Sequence, residues 1–332
     1  MLLLICAGAS AQTEEAPAPL YRDPVTDGAA DPVVFWNRSE HCWWMLYTQR
    51  RANLEAADVA YCYGTSIGIA AAADQGKQWV YRGTLQLPAP RGAHTFWAPD
   101  IVYQDGQYHM FVVVIEGVYI HWGGVKKMSH YTSRNGWDWT FQGYLKLSSE
   151  RVIDASLCRM PGGTWRMWYK DEASQDAIRM AESRDLFHWK LFPVPAISGS
   201  RQEGPKIFGY RGYFWMLTDE WAGMRIYRSS DATHWDKQGL ILDKPSARTE
   251  DGPSGAHGDV LVTDSGVYVF YFTHPGRKNH LESPAGENGI IPFDLRRSSI
   301  QVATLEWREG TLFCNREHVH LRLPSDGRHS YK

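Results

Sequence analysis

The chain has 332 residues and a formal net charge of −2. A near-neutral balance argues against a phosphate-tracking surface, and so against nucleic acid as the main partner. Its 15 Trp, 17 Tyr and 12 Phe suit an all-β core, where aromatics pack well on pleated surfaces, and leave some over for planar stacking platforms.

The first twelve residues open with the apolar run Met1-Leu2-Leu3-Leu4-Ile5 and continue into small residues at Ala9 and Ala11. This reads as a secretory leader with an A-x-A cleavage site, too short to span a bilayer. The expectation is an exported protein, periplasmic or extracellular, with residues 13–332 as one domain. Leu4-Ile5 before Cys6 is a poor lipoprotein signal, so anchoring through Cys6 is not expected. Four further cysteines, Cys42, Cys62, Cys158 and Cys314, have neither disulfide-framework nor zinc spacing. They read as buried small hydrophobes, with a Cys42–Cys62 bridge within one hairpin as the alternative.

From residue 31 onward a three-part unit recurs about every 50–65 residues, the signature of a repeat architecture. First comes Asp31-Pro32-Val33-Val34-Phe35-Trp36, then the aromatic run 41–47, then a polar turn ending in Trp79. The second copy is Trp97-Ala98-Pro99-Asp100-Ile101-Val102, the run 106–111 and a turn ending in Trp139. The third is Asp154-Ala155-Ser156-Leu157, the run 163–169 and a turn ending in Trp189. The fourth is Glu203-Gly204-Pro205-Lys206-Ile207-Phe208, the run 212–217 and a turn ending in Trp235. The fifth, His257-Gly258-Asp259-Val260 with the run 266–272, lacks the Trp turn. Asp, Asn and Ser favour such turns by bonding their own backbone, and the Trp is expected to cap the outer part of each unit. Three strand signals plus the Trp-tipped one give about four strands per repeat, and five such repeats describe an all-β, five-bladed β-propeller. A β-sandwich would lack this period.

In a propeller the first strand of each blade lines the central channel. That register sends Asp31, Asp100, Asp154, Glu203 and His257 or Asp259 to the channel mouth. Like charges gathered in a cleft repel and desolvate one another, so the placement calls for a chemical reason. Glycoside hydrolysis supplies one: a carboxylate to activate water and a carboxylic acid to protonate the leaving oxygen.

The motifs Ala30-Asp31-Pro32, Trp97-Ala98-Pro99-Asp100, Ile153-Asp154-Ala155-Ser156 and Glu203-Gly204-Pro205, in order and at blade spacing, resemble glycoside hydrolase family 43, the arabinases, arabinofuranosidases and β-xylosidases. The resemblance implies Asp31 as general base, Glu203 as general acid and Asp154 as the residue that orients the acid and modulates its pKa; from the blade beside Glu203, Asp154 is expected to hydrogen-bond it. It gives Asp100 no chemical step, leaving that residue to structure. His257 corresponds to an axial histidine that in many relatives sits near a metal ion or the substrate. No cofactor is required on this reading. A structural calcium ion beside His257 is the one candidate, held mainly through water because calcium prefers oxygen ligands.

Two long segments, 116–127 with Tyr119, His121 and Trp122, and 245–256 with Arg248, Glu250 and Asp251, are expected to rim the mouth. Phe96, Trp97 and Trp122 are candidate stacking surfaces, and Arg277 a candidate substrate contact. The expected activity is an inverting, exo-acting hydrolase of terminal α-L-arabinofuranosyl or β-xylosyl residues on a plant or algal polysaccharide. The alternatives are a glycosidase for a galactose or anhydrogalactose derivative, a non-catalytic carbohydrate-binding propeller, and a transferase or phosphorylase using Arg225 or Arg277 for an anion.

Overall fold

The computed structural model describes residues 15–88, 92–279 and 289–328; the expected leader, with Cys6, lies outside them. Twenty strands are present among the described residues, in five antiparallel sheets of four. Blade one is β1 (Ala29–Asn37), β2 (Cys42–Gln49), β3 (Ser66–Ala72) and β4 (Val80–Thr84). Blade two is β5 (Ala93–Gln104), β6 (Gln107–Glu116), β7 (Lys126–Ser133) and β8 (Thr140–Tyr144). Blade three is β9 (Val152–Arg159), β10 (Trp165–Asp171), β11 (Ala177–Ser183) and β12 (Lys190–Leu191). Blade four is β13 (Glu203–Tyr210), β14 (Tyr213–Asp219), β15 (Met224–Ser229) and β16 (Asp236–Ile241). Blade five is β17 (Ala256–Thr263), β18 (Gly266–Thr273), β19 (Ser299–Arg308) and β20 (Thr311–Asn315). The innermost strands β1, β5, β9, β13 and β17 touch in ring order, β17 returning to β1. The fold is a five-bladed β-propeller.

The polar turns do what their composition predicts. Asn135, Asp185 and Asp231 each accept two main-chain N–H groups just ahead of the tryptophan. The indoles of Trp79, Trp139 and Trp189 then donate to a carbonyl three residues back, at 2.7–3.0 Å. Between blades the layers are filled by aromatics: Trp43, Trp44, Trp165, Trp168 and Trp215 are all but fully buried.

Closure of the ring uses both ends of the described chain. Tyr21 pairs with Ile300 of β19, and the Ala16 amide donates to the Val319 carbonyl at 2.7 Å. Further on, the Leu323 amide donates to Gln75 O at 2.8 Å and the Trp43 indole to Pro324 O at 2.8 Å. Leu20, Tyr21, Val319, Leu321 and Leu323 thereby complete the core between blades one and five. Much of the 245–256 segment serves the same seam rather than the mouth. Arg248 donates to the carbonyls of Ala16, Pro17 and Val302, Asp251 ion-pairs with Arg316, and Glu250 with Arg297 at 2.7 Å.

Among the described residues, Cys42, Cys62, Cys158 and Cys314 are free thiols. Cys42 starts β2 opposite Asn37, at the far end of the blade, whereas Cys62 ends a 3-10 turn, Asp58–Cys62, in a different core cluster. The alternative of a Cys42–Cys62 bridge is not realised.

Candidate active site

All five innermost strands carry a bulge at the same register. The ladder slips between Ala30 and Val33, Trp97 and Asp100, Glu203 and Lys206, and Ala256 and Asp259, and opposite Ile153 and Ser156. A bulge re-aims side chains and sharpens the local twist. Asp31, Ala98, Asp154, Gly204 and His257 occupy the same bulge position, and the first four have φ of 49°, 43°, 59° and 56°. Left-handed backbone is unfavourable for residues with a Cβ, and here it turns Asp31 and Asp154 toward the axis.

The shared register corrects the placement of two acids. Asp100 and Asp259 stand one pleat deeper than Asp31 and Asp154. Both are fully buried, and Lys206 of blade four lies between them, its Nζ 2.9 Å from Asp100 Oδ1 and 3.1 Å from Asp259 Oδ1. Their other oxygens accept the Leu157 and Val34 amides at 2.7 and 2.8 Å. Blades one to five are thus stitched together at a hub below the mouth.

Above the hub opens a cavity of about 460 Å³ whose walls include Asp31, Asp154, Glu203, Asp219 and His257. His257 stands between the first two, its Nδ1 3.7 Å from Asp31 Oδ1 and 3.9 Å from Asp154 Oδ1. Arg50 approaches Asp31 at 3.4 Å while its guanidinium lies over the Phe272 ring. Glu203 is held by Lys170 Nζ at 3.1 Å on Oε2 and by the Trp221 indole N–H at 2.9 Å on Oε1. The expected bond from Asp154 is replaced by these two, because the left-handed turn at Asp154 aims its Oδ2 at the Gly204 amide, 3.0 Å away.

Crowding of carboxyls leaves its mark on acidity. Burial raises Asp154 to about 6, His257 working against it and the charges of Glu203 and Asp31 adding to it. Asp219 is pushed up to about 8 by burial and then by Glu203, against hydrogen bonds from the His257 and Trp221 amides. A neighbouring imidazole stays neutral: burial, then Arg277 and Arg50, hold His274 well below its usual range. Its Nδ1–H donates to the Arg297 carbonyl at 2.9 Å.

The remaining candidates divide. Trp97 lines the cavity, its indole donating to Cys62 O at 2.6 Å. Trp122, 58% exposed, faces it edge-on across 5.9 Å. Arg277 also lines the wall and donates to Leu295 O and Tyr61 Oη. Phe96 does not serve as a platform: alternation along β5 turns it away from Trp97 and into the core between blades one and two. Arg225 is bound by Glu220 at 2.8 Å and does not line the cavity. Arg50, Lys170, Asp219, Trp221 and His274 were not singled out by the sequence motifs. The signal for them is positional: each lies at or just past the end of a blade's second strand, which in an antiparallel hairpin lies beside the start of the first.

A calcium ion beside His257 would draw most of its oxygen shell from water rather than from side chains. Among the described residues no three His, Cys, Asp or Glu side chains have metal-binding spacing, whereas calcium takes six to eight oxygens. The hub carboxylates already have an ammonium between them.

No family model matches the sequence, and no curated protein does. Solved structures do match the fold. A thermostable family-43 glycoside hydrolase superposes with a TM-score of 0.66 at 18% identity, over 90% of this chain and 97% of that one. The chain shares the fold of family-43 glycoside hydrolases. A β-xylosidase/α-arabinofuranosidase from a compost microbial metagenome, crystallised with xylotriose, gives 0.66 at 12% identity over 90% and 98% of the two chains. An α-L-arabinofuranosidase from Lactobacillus brevis gives 0.62 at 16% over 90% and 97%. Among the described residues, no helix is long and apolar enough to cross a membrane.

Proposed function

We propose that this chain is an exported, inverting glycoside hydrolase that removes terminal α-L-arabinofuranosyl or β-xylosyl residues from a plant or algal polysaccharide. The observation that carries the reading is that Asp31, Asp154 and Glu203, from three different blades, face one cavity at the mouth of the propeller channel. Its volume, about 460 Å³, lies toward the lower part of the range for small-ligand sites, about 300–1,000 Å³, which favours a terminal sugar over a long chain.

In this reading Asp31 takes a proton from water as the water oxygen bonds to the anomeric carbon, and Glu203 gives a proton to the departing glycosidic oxygen. Asp31 and Glu203 stand on blades one and four, with His257 on blade five between them, and inversion requires room for a water between the two carboxyls. Arg50 fixes Asp31, while Lys170 and Trp221 fix Glu203. Trp97 and Trp122 offer stacking surfaces, and Arg277 and His274 offer a donor and an acceptor for sugar hydroxyls. No step is routed through a cation.

The test is hydrolysis of aryl α-L-arabinofuranosides, β-xylosides and galactosides by the wild-type chain, Asp31→Asn and Glu203→Gln. Asp31→Asn should lose about 10²–10⁴-fold on every substrate. Glu203→Gln should lose as much on poor leaving groups but retain turnover of activated ones, which depart with little protonation. Near-normal turnover by Asp31→Asn would refute the roles. Binding of a sugar without turnover by the wild type would favour a carbohydrate-binding propeller.

A further inference from the structure

Asp219, like Glu172 and Asp176, is a cavity carboxyl that the strand-opening motifs do not contain. It ends β14 directly opposite Glu203 on β13, is 2% exposed and lines the cavity. Both its oxygens are spent on main-chain donors. Oδ1 accepts the Trp221 amide at 2.6 Å, and Oδ2 accepts the His257 amide on the next blade at 2.9 Å.

The first bond closes a tight turn in which Trp221 adopts a φ of 61°, a conformation residues with a Cβ rarely hold unless the surroundings impose it. What that turn achieves is the position of the indole. Its N–H reaches Glu203 Oε1 at 2.9 Å, and Lys170 Nζ and the Arg201 guanidinium lie over its ring, 5.2 and 5.3 Å from the centroid. The second bond anchors the strand that carries His257 between Asp31 and Asp154. One buried carboxyl therefore fixes the orientation of Glu203 through Trp221 and of the axial histidine through its backbone.

We propose that Asp219 is a positioning residue that holds Glu203 on line with the leaving group by way of the Trp221 indole. The proposal rests on Glu203 being the general acid, and its test separates the two. In ¹⁵N spectra of the full-length protein, with the Trp221 indole N–H assigned by its loss in Trp221→Phe, that signal should move in Glu203→Gln and again in Asp219→Ala. Asp219→Asn, which keeps one acceptor oxygen, should move it less and serves where the alanine variant folds poorly. An indole signal unmoved in both Asp219 variants overturns the proposal, whatever the enzyme's activity. With glycosides, Asp219→Asn and Trp221→Phe should each lower kcat for a poor leaving group by about tenfold or more with KM little changed, yet lower it less than about threefold for a dinitrophenyl leaving group. Equal losses on both substrates would mark a general distortion and overturn it. If no glycoside is hydrolysed by the wild type, the acid role of Glu203 falls, while the indole signals still decide whether Asp219 positions Glu203.

Discussion

Burial and neighbouring carboxylates push Asp219 up to about 8 and Asp154 to about 6. An acid raised in the folded state keeps its proton while the unfolded chain releases it, so folding stability falls as pH rises from about 4 toward the folded value. Wild-type melting temperature should therefore decline between about pH 5 and 8, and Asp219→Asn should flatten that decline. The variant-minus-wild-type difference, followed by calorimetry, should grow more positive as pH rises; a pH-independent difference would contradict the assignment. At this scale the sequence was most readable where chemistry and strand start coincide. Asp31 and Glu203 open motifs whose Pro or Gly neighbours are odd for an ordinary strand, and Asp154 shares their place at a blade start. Asp219, Lys170 and Arg50 were hidden because a polar residue ending an apolar strand looks like the start of any turn. Phe96 misled because adjacent strand residues point to opposite faces, and only Trp97 of the pair faces the cavity.

The repeated bulge is the element on which the site is built. Gly204 takes the bulge position that Asp31, Asp154 and His257 hold in their blades, and a Cβ there would lie 2.6 Å from the His257 ring. Gly204→Ala should displace His257, lowering both the melting temperature and any turnover. Ala98 holds the equivalent left-handed position in blade two, with φ of 43° and its amide on Thr48 Oγ1 at 2.9 Å. Ala98→Gly keeps that bond and relieves a backbone penalty of about 1–2 kcal/mol, offset in part by the greater freedom of glycine when unfolded. Denaturant unfolding should show it neutral to stabilising, whereas Ala98→Val should be clearly destabilising. The first two strands of each blade were legible from aromatic runs and turn residues. The outer strands of blade five were not, because no Trp turn marks them and residues 274–298 separate β18 from β19.

At the level of the molecule, five blades that resemble one another must close into a ring around a charged hub. Lys206 stands between Asp100 and Asp259 with all three side chains at 3% exposure or less. Removing one partner of a buried ionic cluster strands the others, at about 3–5 kcal/mol. Lys206→Met should lower unfolding free energy by about that amount, and a loss within experimental error would show the hub to be dispensable. The hub escaped the sequence reading because it lies one pleat below the residues that open the blades, a distinction that only the bulges create. Ring closure escaped it as well, since residues 15–28 and 316–328 carry no repeat signal and pair across the whole length of the chain.

The central claim is that Asp31 and Glu203 face a sugar from opposite sides with water between. Carboxyls separated by about 6.5–9.5 Å admit such a water and invert the anomeric centre, whereas about 5–5.5 Å gives retention. Proton NMR of the first sugar released, recorded before mutarotation, measures this directly. The account predicts the anomer opposite to that of the substrate; release of the same anomer would contradict it.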